Sequence, residues 1–414
     1  MKPRSLAGTL AACVLTVQTT LAQPATSRGT EFWLTYLENL DLGFNGSPFL
    51  YLDISSTVTT QGELQVPSTG DAFPFTVNAG HSTIVFVPSL YLYPIGPETY
   101  YPDGLKVVSD DPVAVHAYHH RLYFSDATLV LPVEELDDDY FVIAQLDVSQ
   151  TAPSEFGVLA TVDGTEVEVT PSVQTASLRP AGVPFLISLD AGEVFQLQAY
   201  SDLTGSRVRS LDPAEPIAVF AGSKYGNENC LGATDHFFTE MMPVAAWGDQ
   251  FALVPYLDRG GDDFKFLSIA DGTTITLSTG ASFVLDSGQY STQHLSVPLI
   301  AEGDHPFAVA QLNESQACNT PGNGDGCMAF VPPLDHREQH TIFNSISGPG
   351  MPGGGWTPSH TLNIVTAGQT GAIAMDLDGA PIGALFQAIP SAPAWYYARL
   401  NVNEGEHVLQ SATA

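Results

Sequence analysis

Three short segments of one design, each opened by a proline, limit what this chain can fold into. They are Asp111-Pro112-Val113-Ala114-Val115, Glu215-Pro216-Ile217-Ala218-Val219 and His305-Pro306-Phe307-Ala308-Val309. Proline presets φ and lacks an N–H, so it suits the first residue of a strand and not its middle. The β-branched or aromatic residues behind it favour extended backbone. An apolar stretch precedes each copy (Leu105 to Val108, Val208 to Leu211, Val297 to Ile300), and an acidic connector links the two parts. The pattern predicts strand, acidic turn, then a Pro-started buried strand. Its recurrence at intervals of about 90 to 105 residues marks a repeat protein. The alternation places Val113 with Val115, Ile217 with Val219 and Phe307 with Val309 in a core. Ala114, Ala218 and Ala308 then face a neighbouring layer with room only for a methyl group.

The rest of the unit recurs as well. Leu131-Pro132-Val133, Met242-Pro243-Val244 and Val331-Pro332-Pro333-Leu334 each precede a new strand. Asp163-Gly164-Thr165 and Asp271-Gly272-Thr273 carry the hairpin cue of an Asp-Gly pair between alternating residues. Ala79-Gly80, Ala191-Gly192 and Ser287-Gly288 supply further turns. The expected divisions are a leader over 1–22, β units over 23–130, 131–241 and 242–331, and a Gly/Pro linker with an incomplete fourth unit over 332–414. The expected fold class is all-β, with β-sandwich-like units packed in tandem and a toroidal, propeller-like arrangement as the alternative.

Composition fits that reading. A chain of 414 residues exceeds one core, and 37 glycines with 30 prolines favour many turns. The net charge of −32 sets the surface against nucleic acid and anionic membrane. Lys2 and Arg4 ahead of an apolar run to Leu21, with Ala22 behind it, predict a signal peptide and a mature chain starting near Gln23. The alternative is a lipoprotein lipidated at Cys13. No other run spans a bilayer. Cys318 and Cys327 flank a turn-rich octet and are expected to pair, which leaves Cys230 over.

Three blocks of residues resemble one family. They are Gly29-Thr30-Glu31-Phe32-Trp33-Leu34 with Glu38-Asn39, Leu203 to Val208 with Pro216 to Gly222, and Asp235-His236 with Met242-Pro243-Val244 and Trp247-Gly248. Over about residues 28–414 the chain resembles the IgGFc-binding protein N-terminal domain family, as a secreted bacterial member. The resemblance implies a non-catalytic extracellular module and does not by itself imply Fc binding. Thr234 stands where the family often has a cysteine.

Chemical motifs are sparse. On a strand His116 shares a face with Tyr118 and His119 takes the other, so the three imidazoles of His116, His119 and His120 converge on a metal only if a turn intervenes. Ser223 beside Lys224 has no further mark of a nucleophile. Asp137, Asp138, Asp139, Asp258, Asp262 and Asp263 are the calcium candidates, although none matches an EF-hand loop. The Tyr/Pro-rich loop from Leu90 to Pro102 reads either as a recognition surface or as the lid of a local core. The expected function is therefore a secreted or cell-surface binding or adhesion module for an extracellular protein or glycan, and not an enzyme. The alternative is a carbohydrate-active hydrolase with a carboxylate pair on a β scaffold.

Overall fold

The computed structural model describes residues 26–414 except 92, 147–148, 228–233, 316–325, 347–359, 370 and 413–414. The leader, Cys13, Cys230 and Cys318 lie outside the described residues.

The first set of strands is β1 Arg28–Leu34, β2 Phe49–Ser56, β3 Thr60–Val66, β4 Asp71–Val77, β5 His81–Phe86, β6 Glu98–Tyr101, β7 Leu105–Arg121 and β8 Phe124–Val130. The second is β9 Asp139–Phe141, β10 Ser154–Ala160, β11 Thr165–Thr170, β12 Phe185–Leu189, β13 Val194–Ala199, β14 Arg207–Ser210, β15 Ile217–Gly226 and β16 Asp235–Glu240. The third is β17 Gly248–Leu253, β18 Asp262–Ser268, β19 Thr273–Leu277, β20 Ser282–Leu285, β21 Tyr290–Leu295, β22 Leu299–Asn313 and β23 Cys327–Phe330. The last is β24 His340–Ser345, β25 His360–Ala367, β26 Met375–Leu377, β27 Ala380–Pro381, β28 Gln387–Ile389, β29 Ala392–Val402 and β30 Gly405–Ser411.

One topology runs through the first three sets. In the second, β12-β11-β14-β9 form one sheet and β16-β15-β10-β13 the other, with β6 added beside β13. Side chains of both sheets, among them Val167, Val208, Phe156 and Val219, share one buried core, which makes a β-sandwich. The first and third sets repeat the order, but β7 and β22 each serve both sheets. The start of β7 pairs with β1 and β3, and its end with β2 and β8.

Two expectations need correction here. The acidic connectors ahead of Pro112 and Pro306 are not turns, because β7 and β22 run through them as bent, continuous strands. A register shift in the partner strand at Gly29/Glu31, and again at Gly248/Gln250, absorbs each bend. Only the second connector, which holds Pro213, breaks the strand. The Asp-Gly pairs are not hairpin turns either. β10 and β11, like β18 and β19, belong to different sheet layers, so each pair is a corner between layers. The corner is cross-bonded to the next turn: Asp163 Oδ1 accepts from Ala191 N at 3.0 Å, and Asp190 Oδ1 from Gly164 N at 3.1 Å. Asp271 and Asp286 repeat that exchange with Ser287 and Gly272.

Two of the three methyl-sized faces lie where the repeat places them, whereas Ala114 lines a cavity of about 460 Å³ and not a filled joint. Ile217 and Val219 enter the second core, while Ala218 packs into the first; Ala308 likewise packs into the second. Each sandwich thus rests on its predecessor. The closing strands β8, β16 and β23 come together, with Asp126 Oδ2 accepting from Phe238 N at 3.0 Å and Met328 N at 3.3 Å. The last set seats on the third through Asn363 Nδ2 to Val254 O, 2.7 Å. It meets the first through Ser55 Oγ to Ile342 O, 3.2 Å, and Tyr118 OH to Asn344 O, 3.0 Å. The sandwiches therefore follow one another in tandem and also close a ring.

Candidate binding surface

The first sandwich ends in three loops, and one buried cation holds them together. Arg121, 5% exposed, terminates β7. Its Nε donates to Gly46 O at 3.0 Å, its Nη2 pairs with Asp41 Oδ2 at 2.9 Å, and its Nη1 reaches Tyr93 OH at 3.5 Å. The 41–46 loop is further fixed by Asn45, which donates to Leu40 O and accepts from Leu42 N. Asp41 also accepts from Gly43 N, and this bond, followed by the Arg121 bond, holds its carboxyl below the usual range.

Glu38 and Asn39 brace the loops from beneath. Glu38 Oε2 accepts from Gly96 N and from Gln198 Nε2, both at 2.9 Å, while Oε1 pairs with Lys224 Nζ. Asn39 Nδ2 donates to Phe124 O at 3.2 Å. On this frame the loops present Phe44, Leu90, Ile95 and Tyr123, which are 70%, 76%, 67% and 61% exposed. Tyr123 sits at φ 77°, a left-handed conformation in the tight turn between β7 and β8. Apolar and aromatic side chains held outward by a rigid sandwich are what a recognition surface needs. In the Tyr/Pro-rich loop Tyr91 and Tyr93 are buried, as in a lid over the core, whereas Leu90, Ile95 and Tyr100 are exposed.

A polar core lies below. His119 and His236 stack edge to face with centroids 4.5 Å apart, and Tyr36, Tyr93 and Phe238 surround His119. Burial pulls His236 down to about 3 and His119 well below its ordinary value, so both rings are neutral. Gln198 Nε2 also donates to Glu155 Oε2 at 2.7 Å, which brings two carboxylates to one amide. Burial pushes Glu155 well up, and the charge of Glu38 adds to the shift. Glu155 is 0% exposed, so this pair is closed to a substrate.

The remaining residues named from sequence lie apart from this surface. Asp137 and Asp138 precede β9, and Asp139 grips Arg207 through two bonds of 2.9 and 2.6 Å. Asp262 Oδ2 accepts from Tyr256 N and Gln311 Nε2, and Asp263 meets His294 Nδ1 at 3.0 Å. Asp258 adopts φ 57° in the loop before β18. His120 Nδ1 lies 2.7 Å from Ser125 Oγ, and His116 turns to the other side from His119. Ser223 donates to Pro153 O. Cys327 opens β23, and its expected partner Cys318 is outside the described residues. Sequence reasoning missed Arg121 and Glu155 and named Lys224 only as the neighbour of Ser223, since nothing local marks a lone charge whose partners lie on distant segments. Glu38 and Asn39 were singled out, but only as part of a pattern.

The loops of this surface, over 41–46, 90–96 and 121–124, precede the part of the chain that a family model matches. The family model described as IgGFc binding protein matches residues 126–414. The human IgGFc-binding protein is 26% identical over 255 residues, 60% of this chain, and the match spans only 5% of the length of that relative. Among solved structures, a chain from work on host cell surface retention of a 1.5-MDa bacterial ice-binding adhesin is 12% identical. It covers 70% of this chain and 91% of its own at a TM-score of 0.12. A biofilm-associated protein BSP domain is 8% identical and covers 97% of each chain at a TM-score of 0.15. Overlaps that low carry no argument. The family match covers well over half of the sequence, and on it this chain belongs to the IgGFc binding protein family.

Proposed function

We propose that this chain is a secreted or cell-surface, non-catalytic binding module that takes an extracellular protein or glycan on the loop end of its first sandwich. One observation carries the reading: Phe44, Leu90, Ile95 and Tyr123 stay exposed on loops that Arg121 and Glu38 hold in place. Fixed loops lose little conformational freedom on binding, so the exposed rings convert into affinity with a small ordering cost. The family name adds an extracellular binding role, and immunoglobulin Fc is one protein ligand to include in the test.

An array of mucins, glycans and serum proteins, Fc among them, is incubated with the purified chain and with Phe44→Ser/Ile95→Ser. Saturable retention of the parent, weakened at least tenfold in the variant and without release of product, supports the module. Product release, or equal retention of the variant, rejects it.

A further inference from the structure

The joints of the ring are not alike. The first and second sandwiches share one apolar cluster, which holds Ala218 and Phe238 together with Leu37 and Val115. The second and third share another, which takes in Ala308 and Met328. The third sandwich and the last set share Val254, Ile300, Ile389 and Tyr397. Among the described residues, no apolar cluster spans the last set and the first sandwich. That seam is polar instead. Besides the bonds from Ser55 and Tyr118, Asn344 Nδ2 donates to Ser82 Oγ at 3.4 Å. Glu406 accepts from Ser82 N and meets His81 Nδ1 at 2.8 Å.

Asp53 lies inside this seam. Its neighbours Leu52 and Ile54 on β2 enter the first core, so its own side chain points the other way, towards the last set. It is 0% exposed, and neither carboxylate oxygen has a hydrogen-bond partner. Around it stand His116 on β7, Ser82 on β5, Asn344 on β24 and Glu406 on β30. Burial lifts its carboxyl to about 6, with Ser82 and Asn344 pulling it down and Glu406 pushing it up. At neutral pH it is therefore still ionised, a buried charge without a partner. His116 does not neutralise it, because burial pulls that ring down to about 4. Tyr51 and Tyr118, stacked beside it at 4.8 Å between centroids, are uncharged. Behind the seam lies the cavity of about 460 Å³, lined among others by Ala114, His116 and Ile342.

We propose that the ring is a clasp: the last set swings on its apolar seat against the third sandwich, the seam with the first sandwich parts, and the central cavity opens to solvent. The charge on Asp53 acts as the spring, since it is kept from water when the seam is closed and hydrated when it is open. Parting any other joint exposes apolar surface, which water opposes. Parting this one exposes polar groups whose bonds water replaces.

The test uses the whole chain and follows a maleimide reacting at Ala114→Cys, 6% exposed at the cavity, and at Ala308→Cys, 3% exposed in an apolar joint. Peptide mass mapping reads each site apart from the native cysteines. At neutral pH the first site is expected to react at least tenfold faster than the second. Asp53→Asn keeps the shape and removes the charge, and should slow the reaction at Ala114→Cys at least fivefold. Asn344→Ala combined with Glu406→Ala should speed it, and neither change should move the rate at Ala308→Cys. Equal rates at the two sites overturn the clasp. So does a rate at Ala114→Cys that Asp53→Asn leaves unchanged or raises.

Discussion

The joints between successive sandwiches use one geometry and opposite chemistry. At both, a glycine ahead of the shared sheet meets a turn glycine of the next sandwich. Gly104 N donates to Gly192 O at 2.9 Å, and a Cβ on Gly205 would run into the carbonyl of Gly288. At the first joint the outward face of β10 carries Gly157, which leaves space for Leu37, and the charges gather around Glu38, Lys224 and Glu155. At the second joint the matching strand carries Lys265 instead. It is 3% exposed, and its Nζ donates to Ala144 O at 2.6 Å and pairs with Asp202 Oδ2 at 2.9 Å. One joint spreads its polarity over a network in which two acids share an amide; the other concentrates it on a single cation. A single cation is the more brittle device, since removing one partner strands all the others.

The largest effect should therefore fall on Lys265. Lys265→Met leaves the Asp202 carboxylate without its cation, although Thr204 still donates to Asp202 Oδ1 and to Ala144 O, and is expected to cost about 3–5 kcal/mol in denaturant unfolding. Adding Asp202→Leu should recover much of that loss, and failure to recover would remove the contrast between the joints.

Next come the methyl faces. Ala308→Leu and Ala218→Leu overpack a filled joint and should each cost ~1–3 kcal/mol. Ala114 faces the central cavity instead, so Ala114→Leu should cost less than either. Equal losses at all three would mean that the cavity is filled.

The first joint has its own pH signature. Glu155 is raised in the folded chain, so between about 4.3, the ordinary glutamate value, and its folded value the native state holds the extra proton. Stability from this group is complete below about 4.3 and is lost as pH rises through that window. Glu155→Gln cannot ionise. Its melting temperature should match the parent near pH 4 and exceed it by a growing margin towards pH 8. A constant offset would place the ionisation elsewhere. Smallest of all is Gly157→Ala, whose Cβ would lie 3.1 Å from Leu37 Cδ2; a shift of that methyl should confine the change to below about 1 kcal/mol.

Local chemistry was legible and long-range chemistry was not. The strand behind each proline and its alternating faces follow from residues within five positions of one another. The continuity of β7 through Pro112 could not be seen, because it depends on Gly29, far upstream, pairing with Val113. Asp163-Gly164 reads as a hairpin because two residues announce a tight turn without saying which sheet the next strand joins. The loop end was visible as aromatics, but Arg121 was not, since its three partners come from two loops far from it in sequence. Ring closure was hidden for the same reason: it rests on bonds such as Ser55 to Ile342, between opposite ends of the chain.

β7 and β22 carry a mechanical consequence. Where one strand belongs to both sheets, sliding the layers past each other must bend or break an unbroken backbone, so a load on one sheet passes covalently to the other. The second sandwich lacks that tie, because β14 and β15 are separated by the segment around Pro213. Under tension along the chain its layers can part by losing lateral bonds alone. The second sandwich is therefore expected to part its layers at a lower force than the first or third, which the order of unfolding steps in single-molecule pulling checks.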